Sequence, residues 1–390
     1  MSNFDPRKFE TDGARRLAGY HAKEPVAFAP DVLKMDLNEA GTPPSPRVLE
    51  ALRAALTQGG LFNWYPDSAC TELRAAIGRY VGVAADHVLV TNGSNMALEL
   101  IARAFLTKDD TALIVSPTYG VFGVQCELQQ ARIESFYFRD VFQPDFGELL
   151  AASPAKILYL VNPNNPTGVG YRHEDIEALL DRRRETLRAS RPTKAIVGLA
   201  ARRVASRSVP CMKPSLVVLD EAYNEFYGVS CVDLIARHPQ LLVLRSFSKA
   251  FSLAGLRCGY VVAAPAVIEI LERIAAPWAV SAFTQVAARA ALDDLPHMRA
   301  TVAEVQRASQ RIVTGLTALG FEARNTCASF VLWKVRDPAA VTRALAARQV
   351  YISNKDSVPQ MKGWLRLSVG TLAQADQFLN TVAELKSRLA

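Results

Sequence analysis

The chain has 390 residues, half of them hydrophobic and 21% charged, with a formal net charge of +7. That length suits two domains, each with its own core. No run approaches the roughly 20 apolar residues of a membrane helix, and Met1-Ser-Asn-Phe-Asp-Pro-Arg7 lacks the basic-then-apolar layout of a secretory signal.

Six cysteines (70, 126, 211, 231, 258 and 327) are scattered without a CxxC pair, and the five histidines are equally dispersed. This argues against a disulfide framework and a metal site, and for reduced thiols in the cytoplasm. The positive charge is local. Between Arg182 and Lys213 lie ten basic residues and one acid, Glu185, so the rest of the chain is net negative. The segment 182–213 reads as an insert: a solvated basic loop or a contact for a polyanion or partner. The body of the chain gives no reason to expect nucleic acid.

Residues 1–47 are Pro-rich and polar and are expected to wrap onto a second domain or a partner subunit. Val88-Leu-Val-Thr91 predicts a strand, followed by a helix from about Ser94 to Phe105. Ala112-Leu-Ile-Val115 predicts another strand, with a helix from about Gly120. The runs Ile157–Val161, Leu216–Leu219, Leu241–Leu244 and Gly259–Ala263 follow. Continuous apolar strands indicate a sheet covered on both faces. Alternation with helices indicates a mostly parallel α/β sheet spanning about 48–289. From about 290 to 390 the texture changes to a long helix ending near Gly320, strands at Ser329–Lys334 and Leu365–Val369, and a helix from about Ala339. That pattern predicts a smaller α+β domain.

The chemistry-bearing residues follow the strands, where open α/β sheets place ligands. Gly93-Ser94-Asn95 stands between strand and helix, so Ser94 and Asn95 can meet an anion at the helix N-terminus. Tyr119 follows the next strand, and its ring can stack on a flat ligand or simply pack. Asn162-Pro-Asn-Asn165-Pro-Thr-Gly168 is a fixed turn. Asp220 ends a strand in Asp220-Glu-Ala-Tyr223. Such an aspartate serves as a helix N-cap or as the partner of a protonated ring nitrogen.

Ser246-Phe-Ser248-Lys249 follows the strand Leu241–Leu244, with Arg257 eight residues beyond the lysine. A lysine there can form a Schiff base with an aldehyde. The serines and the arginine fork can hold a phosphate. The pattern suggests pyridoxal 5'-phosphate. Arg366, flanked by apolar residues, suits a substrate carboxylate or a structural salt bridge.

Together these residues resemble fold-type I pyridoxal phosphate enzymes, specifically class I/II aminotransferases of the histidinol-phosphate aminotransferase branch. The landmarks in order are Leu37-Asn-Glu39, Asn63-Trp-Tyr-Pro-Asp67, Gly93-Ser-Asn95, Pro117-Thr-Tyr-Gly120, Pro163-Asn-Asn-Pro-Thr-Gly168, Asp220-Glu-Ala-Tyr223, Ser248-Lys-Ala-Phe251, Ala254-Gly-Leu-Arg257 and Leu365-Arg-Leu-Ser-Val-Gly-Thr371. They run from about Met35 to the C-terminus, interrupted by the basic segment.

The resemblance implies roles. Lys249 would be the Schiff-base lysine and proton shuttle, and Asp220 would pair with the pyridine nitrogen. Asn165 and Tyr223 would bind the phenolate oxygen, and Tyr119 would stack on the ring. Ser94, Asn95, Ser246, Ser248 and Arg257 would hold the phosphate. Tyr65 would reach the neighbouring subunit's cofactor, implying a homodimer with shared sites. Arg366 would bind the substrate carboxylate or an equivalent anion. The implied reaction is a ping-pong transfer from an amino donor to a 2-oxo acid acceptor. The same resemblance admits histidinol-phosphate aminotransferase itself, a phosphothreonine-type decarboxylase and a non-catalytic regulator.

Three departures concern the substrate. Ser353 stands where the histidinol-phosphate members usually carry arginine, leaving Lys355 as a point charge. The loop Asn38-Glu-Ala-Gly-Thr-Pro43 replaces the usual Asn-Pro-Tyr/Leu-Gly, so Asn38 faces an altered pocket wall. Pro277-Trp-Ala-Val-Ser-Ala282 lacks the asparagines common there.

Overall fold

The computed structural model describes residues 5–17, 29, 32–59, 62–152, 155–189 and 215–389. Most of the basic segment, from 190 to 213, lies outside the described residues. The helix His173–Ala189 leads into it.

The strands in chain order are β1 (Leu33–Met35), β2 (Val88–Asn92), β3 (Thr111–Ser116), β4 (Arg132–Tyr137), β5 (Ile157–Val161), β6 (Leu216–Asp220), β7 (Leu241–Ser246), β8 (Cys258–Val262), β9 (Glu322–Arg324), β10 (Phe330–Lys334), β11 (Val350–Asn354) and β12 (Trp364–Ser368). Seven form one sheet in the order β2-β8-β7-β6-β5-β3-β4. Its core pairings, from β4 through β3, β5 and β6 to β7, are parallel. Only β8 runs against its neighbours, β2 and β7.

The apolar runs explain this sheet. Every residue of β5 is buried. Side chains alternate between faces along a strand. Leu158, Leu160, Val217, Leu219 and Val243 therefore enter one core, while Ile157, Tyr159, Val161, Val218, Leu242 and Leu244 enter the other. Each such aliphatic side chain contributes about 1.5–3 kcal/mol on leaving water. Because β3, β5, β6 and β7 are parallel, their C-terminal ends share one edge. Tyr119, Asn165, Asp220 and Ser246 emerge there.

The other five strands form a sheet in the order β1-β11-β12-β10-β9. β1, from the N-terminal segment, pairs in parallel with β11. The chain thus returns its Leu33–Met35 stretch to a sheet made otherwise of residues after 320. The long helix Leu295–Ala318 begins with proline at its second position and carries its buried stripe through Val302, Val305, Ala308, Ile312 and Leu316. Those spacings of three and four keep one face on the core.

The expected strands do not include β11, and three further strands escape the hydrophobic pattern. β4 is an edge strand with exposed and half-buried residues only. Its Arg132-Ile-Glu-Ser-Phe-Tyr137 therefore keeps charges that mask the apolar alternation. β1 and β9 have three residues each and form the edges of their sheet.

Candidate active site

The helix Gly93–Phe105 starts immediately after β2. Gly93 has φ +70°, and a Cβ there would stand 2.6 Å from Arg257 Nη2. A Cβ on Gly259 of β8 would stand 2.5 Å from the Ser94 nitrogen. Only glycine at both positions lets the guanidinium and β8 close on the first helical turn. Register places Gly259 between Thr91 of β2 and Ser246 of β7.

Arg257 itself has φ +54°. Its Nη1 donates to Ser248 Oγ at 3.5 Å and to the Ala254 carbonyl at 3.1 Å. Ser246 Oγ accepts from the Ser248 N–H at 3.1 Å. One edge thus gathers a helix N-terminus, a guanidinium and two serine hydroxyls, a donor set that fits a phosphate. Asn95 is turned partly to another task, its Oδ1 accepting from Tyr119 OH at 3.1 Å.

Asp220 is buried at the end of β6, where Oδ1 accepts from the Ala222 N–H at 3.0 Å and Oδ2 from Tyr159 OH at 3.4 Å. Loss of water around it pushes its pKa up to about 6, against the two hydrogen bonds. A protonated ring nitrogen is the partner such a carboxylate suits.

Lys249 lies in the turn after β7, and its Nζ donates to the Leu37 carbonyl at 3.2 Å. The ammonium is 5.9 Å from the centre of the Tyr223 ring. Removal from water, then the positive charge of Arg366, brings the Lys249 pKa down to about 8. A neutral amine is therefore accessible near physiological pH, as nucleophilic and basic work require.

Tyr223 OH accepts from Asn38 Nδ2 at 2.8 Å. Burial raises the Tyr223 pKa, opposed by the Arg366 charge and the Asn38 hydrogen bond. Asn38 is itself buried at φ +55°. Its N–H donates to Ser368 Oγ at 2.7 Å, and that hydroxyl donates back to Asn38 Oδ1 at 3.1 Å. Asn38 thus fixes Tyr223 from the segment that follows β1.

Arg366 comes from β12 and is buried. Its Nη1 donates to Asn165 Oδ1 at 2.6 Å and its Nη2 to the Asp36 carbonyl at 2.7 Å. The second sheet is therefore stitched to the Asn165 turn of the first. Its register partner on β11 is Ser353, small, neutral and buried. Lys355 stands one residue beyond β11, its N–H donating to the Trp364 carbonyl at 3.0 Å.

Tyr65 is 80% exposed. It stacks on Trp278, with ring centres 4.6 Å apart, and Trp278 is 47% exposed at φ +56°. Phe62 and Trp64 are exposed beside it in the chain. These rings face outward, so the geometry does not bring Tyr65 to the Lys249 site of its own chain.

Sequence reasoning missed several participants. The Leu37 and Asp36 carbonyls carry no side-chain signal. Tyr159 sits in a wholly apolar run. Ser368 was hidden two residues after Arg366, although alternation along β12 gives both the same face.

A parallel sheet whose strand ends gather lysine, aspartate and a phosphate cradle defines the fold-type I architecture, and the residues fit pyridoxal phosphate. The crystal structure of histidinol-phosphate aminotransferase from Sinorhizobium meliloti in complex with pyridoxal-5'-phosphate is similar, with TM-score 0.77 at 23% identity, covering 92% of each chain.

The chain belongs to the family Aminotransferase class I and II, which matches residues 30–187 and 210–382. It is a pyridoxal phosphate-dependent transaminase. Among its relatives, histidinol-phosphate aminotransferase of Roseiflexus castenholzii is 33% identical over 91% of this chain and 90% of its own. Dihydroxyacetone phosphate transaminase of Campylobacter jejuni is 32% identical over 92% and 91%. Among the described residues no helix is long and apolar enough to cross a membrane.

Proposed function

We propose that this transaminase takes its amino group from a carboxylated amino donor and delivers it to a 2-oxo acid in two half-reactions, with Arg366 gripping the carboxylate of each. The observation that carries this is the convergence of Arg366, from the second sheet, on Asn165 at 2.6 Å beside Lys249 and Tyr223.

Pyridoxal phosphate, when bound, supplies an aldehyde that exchanges amino groups and a ring that accepts an electron pair. The protein does the rest. Ser94, Asn95, Ser246, Ser248 and Arg257 would hold the phosphate end. Asp220 would pair with the ring nitrogen, and Tyr119 would stack on the ring. Asn165 and Tyr223 would hold the phenolate oxygen. Lys249 Nζ, with its pKa near 8, takes the proton from the donor α-carbon and returns it. Arg366 and Asn38 set the donor's orientation. With the carboxylate held by Arg366, the donor's α-hydrogen would be presented to Lys249 and its carboxylate kept from leaving.

Tyr65 belongs to the neighbouring subunit's site in this reading, which makes the active unit a homodimer. Its 80% exposure and its stack on Trp278 support that role. A second reading concerns the donor. Both relatives above bear the names of phosphorylated compounds. Lys355 is the cation nearest in sequence to Ser353 for such a phosphate. The absence of an arginine fork at Ser353 favours the unphosphorylated donor.

The test is a panel of amino acids, histidinol phosphate and the amine of dihydroxyacetone phosphate, each with 2-oxoglutarate or pyruvate. Turnover of carboxylated donors alone supports the main reading. Turnover of the phosphorylated amines alone replaces it. Carbon dioxide release without 2-oxo acid formation overturns both.

A further inference from the structure

Behind the site lies a buried ion network that the transfer itself does not use. Arg245, on β7, donates from Nε to Glu221 Oε2 at 2.9 Å, from Nη1 to Glu225 Oε1 at 3.2 Å and from Nη2 to Ser230 Oγ at 2.7 Å. The Arg245, Glu221 and Glu225 side chains are all at most 5% exposed. The other Glu221 oxygen accepts from the Cys231 N–H at 2.7 Å, and Tyr80 OH donates to Glu225 Oε1 at 3.2 Å.

The placement of these residues is specific. Glu221 follows Asp220, Glu225 is two residues past Tyr223 on the short helix Asn224–Tyr227, and Arg245 precedes Ser246. The backbones meet as well: the Glu221 N–H donates to the Leu244 carbonyl at 2.8 Å. Successive strand residues point to opposite faces. One guanidinium thus fastens, from behind, the three segments that present Asp220, Tyr223 and Ser246 in front.

We infer that Arg245, through Glu221 and Glu225, is a positioning residue that sets the mutual geometry of the ring-nitrogen, phenolate and phosphate contacts. The inference rests on the roles proposed above for Asp220, Tyr223 and Ser246. A network kept only for stability is a poor alternative, since a buried ion pair replaced by well-packed apolar residues often costs nothing. What the fork adds is direction, holding three segments at fixed angles. Its charge also matters locally. Asp220 is faced by Tyr159, Glu221 and Lys249, and the Glu221 charge adds to burial in raising its pKa. Arg245 offsets that charge.

The test compares Arg245→Lys, Glu221→Gln and Tyr80→Phe. Arg245→Lys keeps the charge and loses the fork. Glu221→Gln keeps the shape and loses one charge. Tyr80→Phe trims the outer edge of the network. Apoprotein is titrated with pyridoxal phosphate, and the visible circular dichroism of the loaded protein reports how the cofactor is held. We expect Arg245→Lys to weaken cofactor affinity about tenfold, the scale on which loss of an orienting outer contact acts, and to change the dichroic band. Glu221→Gln should act in the same direction, severalfold. Tyr80→Phe should lower the melting temperature alone. Folded Arg245→Lys and Glu221→Gln proteins with wild-type affinity and dichroism would overturn the inference. If Arg245→Lys does not fold, Glu221→Gln decides by the same readouts. An Asp220→Asn protein with unchanged affinity and dichroism would instead refute the site assignment on which the inference rests.

Discussion

Lys249 donates from Nζ to the Leu37 carbonyl at 3.2 Å, so the amine of the first sheet's edge is held by the strap that follows β1 of the second. The same strap gives its Asp36 carbonyl to Arg366 and its Asn38 amide to Tyr223. The residues proposed for proton transfer, carboxylate binding and phenolate binding therefore share one short support.

Lys249→Ala should fold and lose the visible absorption of the wild-type holoprotein together with transamination. A colourless wild type, or a coloured variant, would contradict the assignment. The apoprotein offers a second reading. The folded pKa of Lys249, about 8, lies below its usual 10.5. Between those values the unfolded chain binds more protons, so stability rises with pH. Lys249→Met apoprotein should therefore exceed the wild type in stability at pH 7, and the gap should narrow as pH climbs from 8 to 10.5. Urea titrations at four pH values measure it.

Asp220 behaves with the opposite sign. Its folded pKa, about 6, lies above the usual 3.8. The folded state binds more protons between those values, so wild-type apoprotein gains stability as pH falls through that window. Above pH 6 the buried carboxylate costs stability. Asp220→Asn apoprotein should be the more stable at pH 7, with the difference vanishing below pH 4. Its turnover should drop by on the order of 100-fold or more, because the ring nitrogen loses a charged partner. Equal activity would reject the pairing.

Arg366→Ala should raise the KM for carboxylated donors by roughly 100-fold, the loss of a charge-assisted pair of hydrogen bonds of about 3 kcal/mol. Arg366→Lys should recover only part of this, since a point charge does not reproduce the fork. Affinity for pyridoxal phosphate should change far less. An equal loss for donor and cofactor would mean that Arg366 acts only by holding Asn165.

Mixed dimers test the shared site. Lys249→Ala and Tyr65→Ala proteins should each be impaired alone. Unfolded and refolded together, they should regain up to about a quarter of wild-type activity, because half the dimers then contain one site with both residues intact. No recovery would place Tyr65 outside the partner's site.

Much of this was legible in the chain because the site residues follow buried apolar strands. Asp220 and Ser246 were readable from Leu216–Leu219 and Leu241–Leu244, and the Gly93 junction from strand and helix on either side. What remained hidden lay in backbone atoms and register. Nothing in Leu37 or Asp36 predicts that their carbonyls meet Lys249 and Arg366. Gly259 reads as an ordinary strand residue until antiparallel pairing sets it against Ser94. Tyr65 was legible only through resemblance. Its exposure fits the assembly proposed for it.

The antiparallel β8 has a consequence for the order in which the protein is made. The proposed phosphate cradle joins residues 93–95 to residues 246–259, and Gly259 closes on it by pairing with Thr91. A ribosome delivers the N-terminal part first. The helix Gly93–Phe105 must therefore wait, without its arginine, until more than 150 further residues have emerged. Cofactor capture is accordingly a late event in the life of each new chain, and a chain truncated before β7 should lack the arginine and two of the serines proposed for the phosphate.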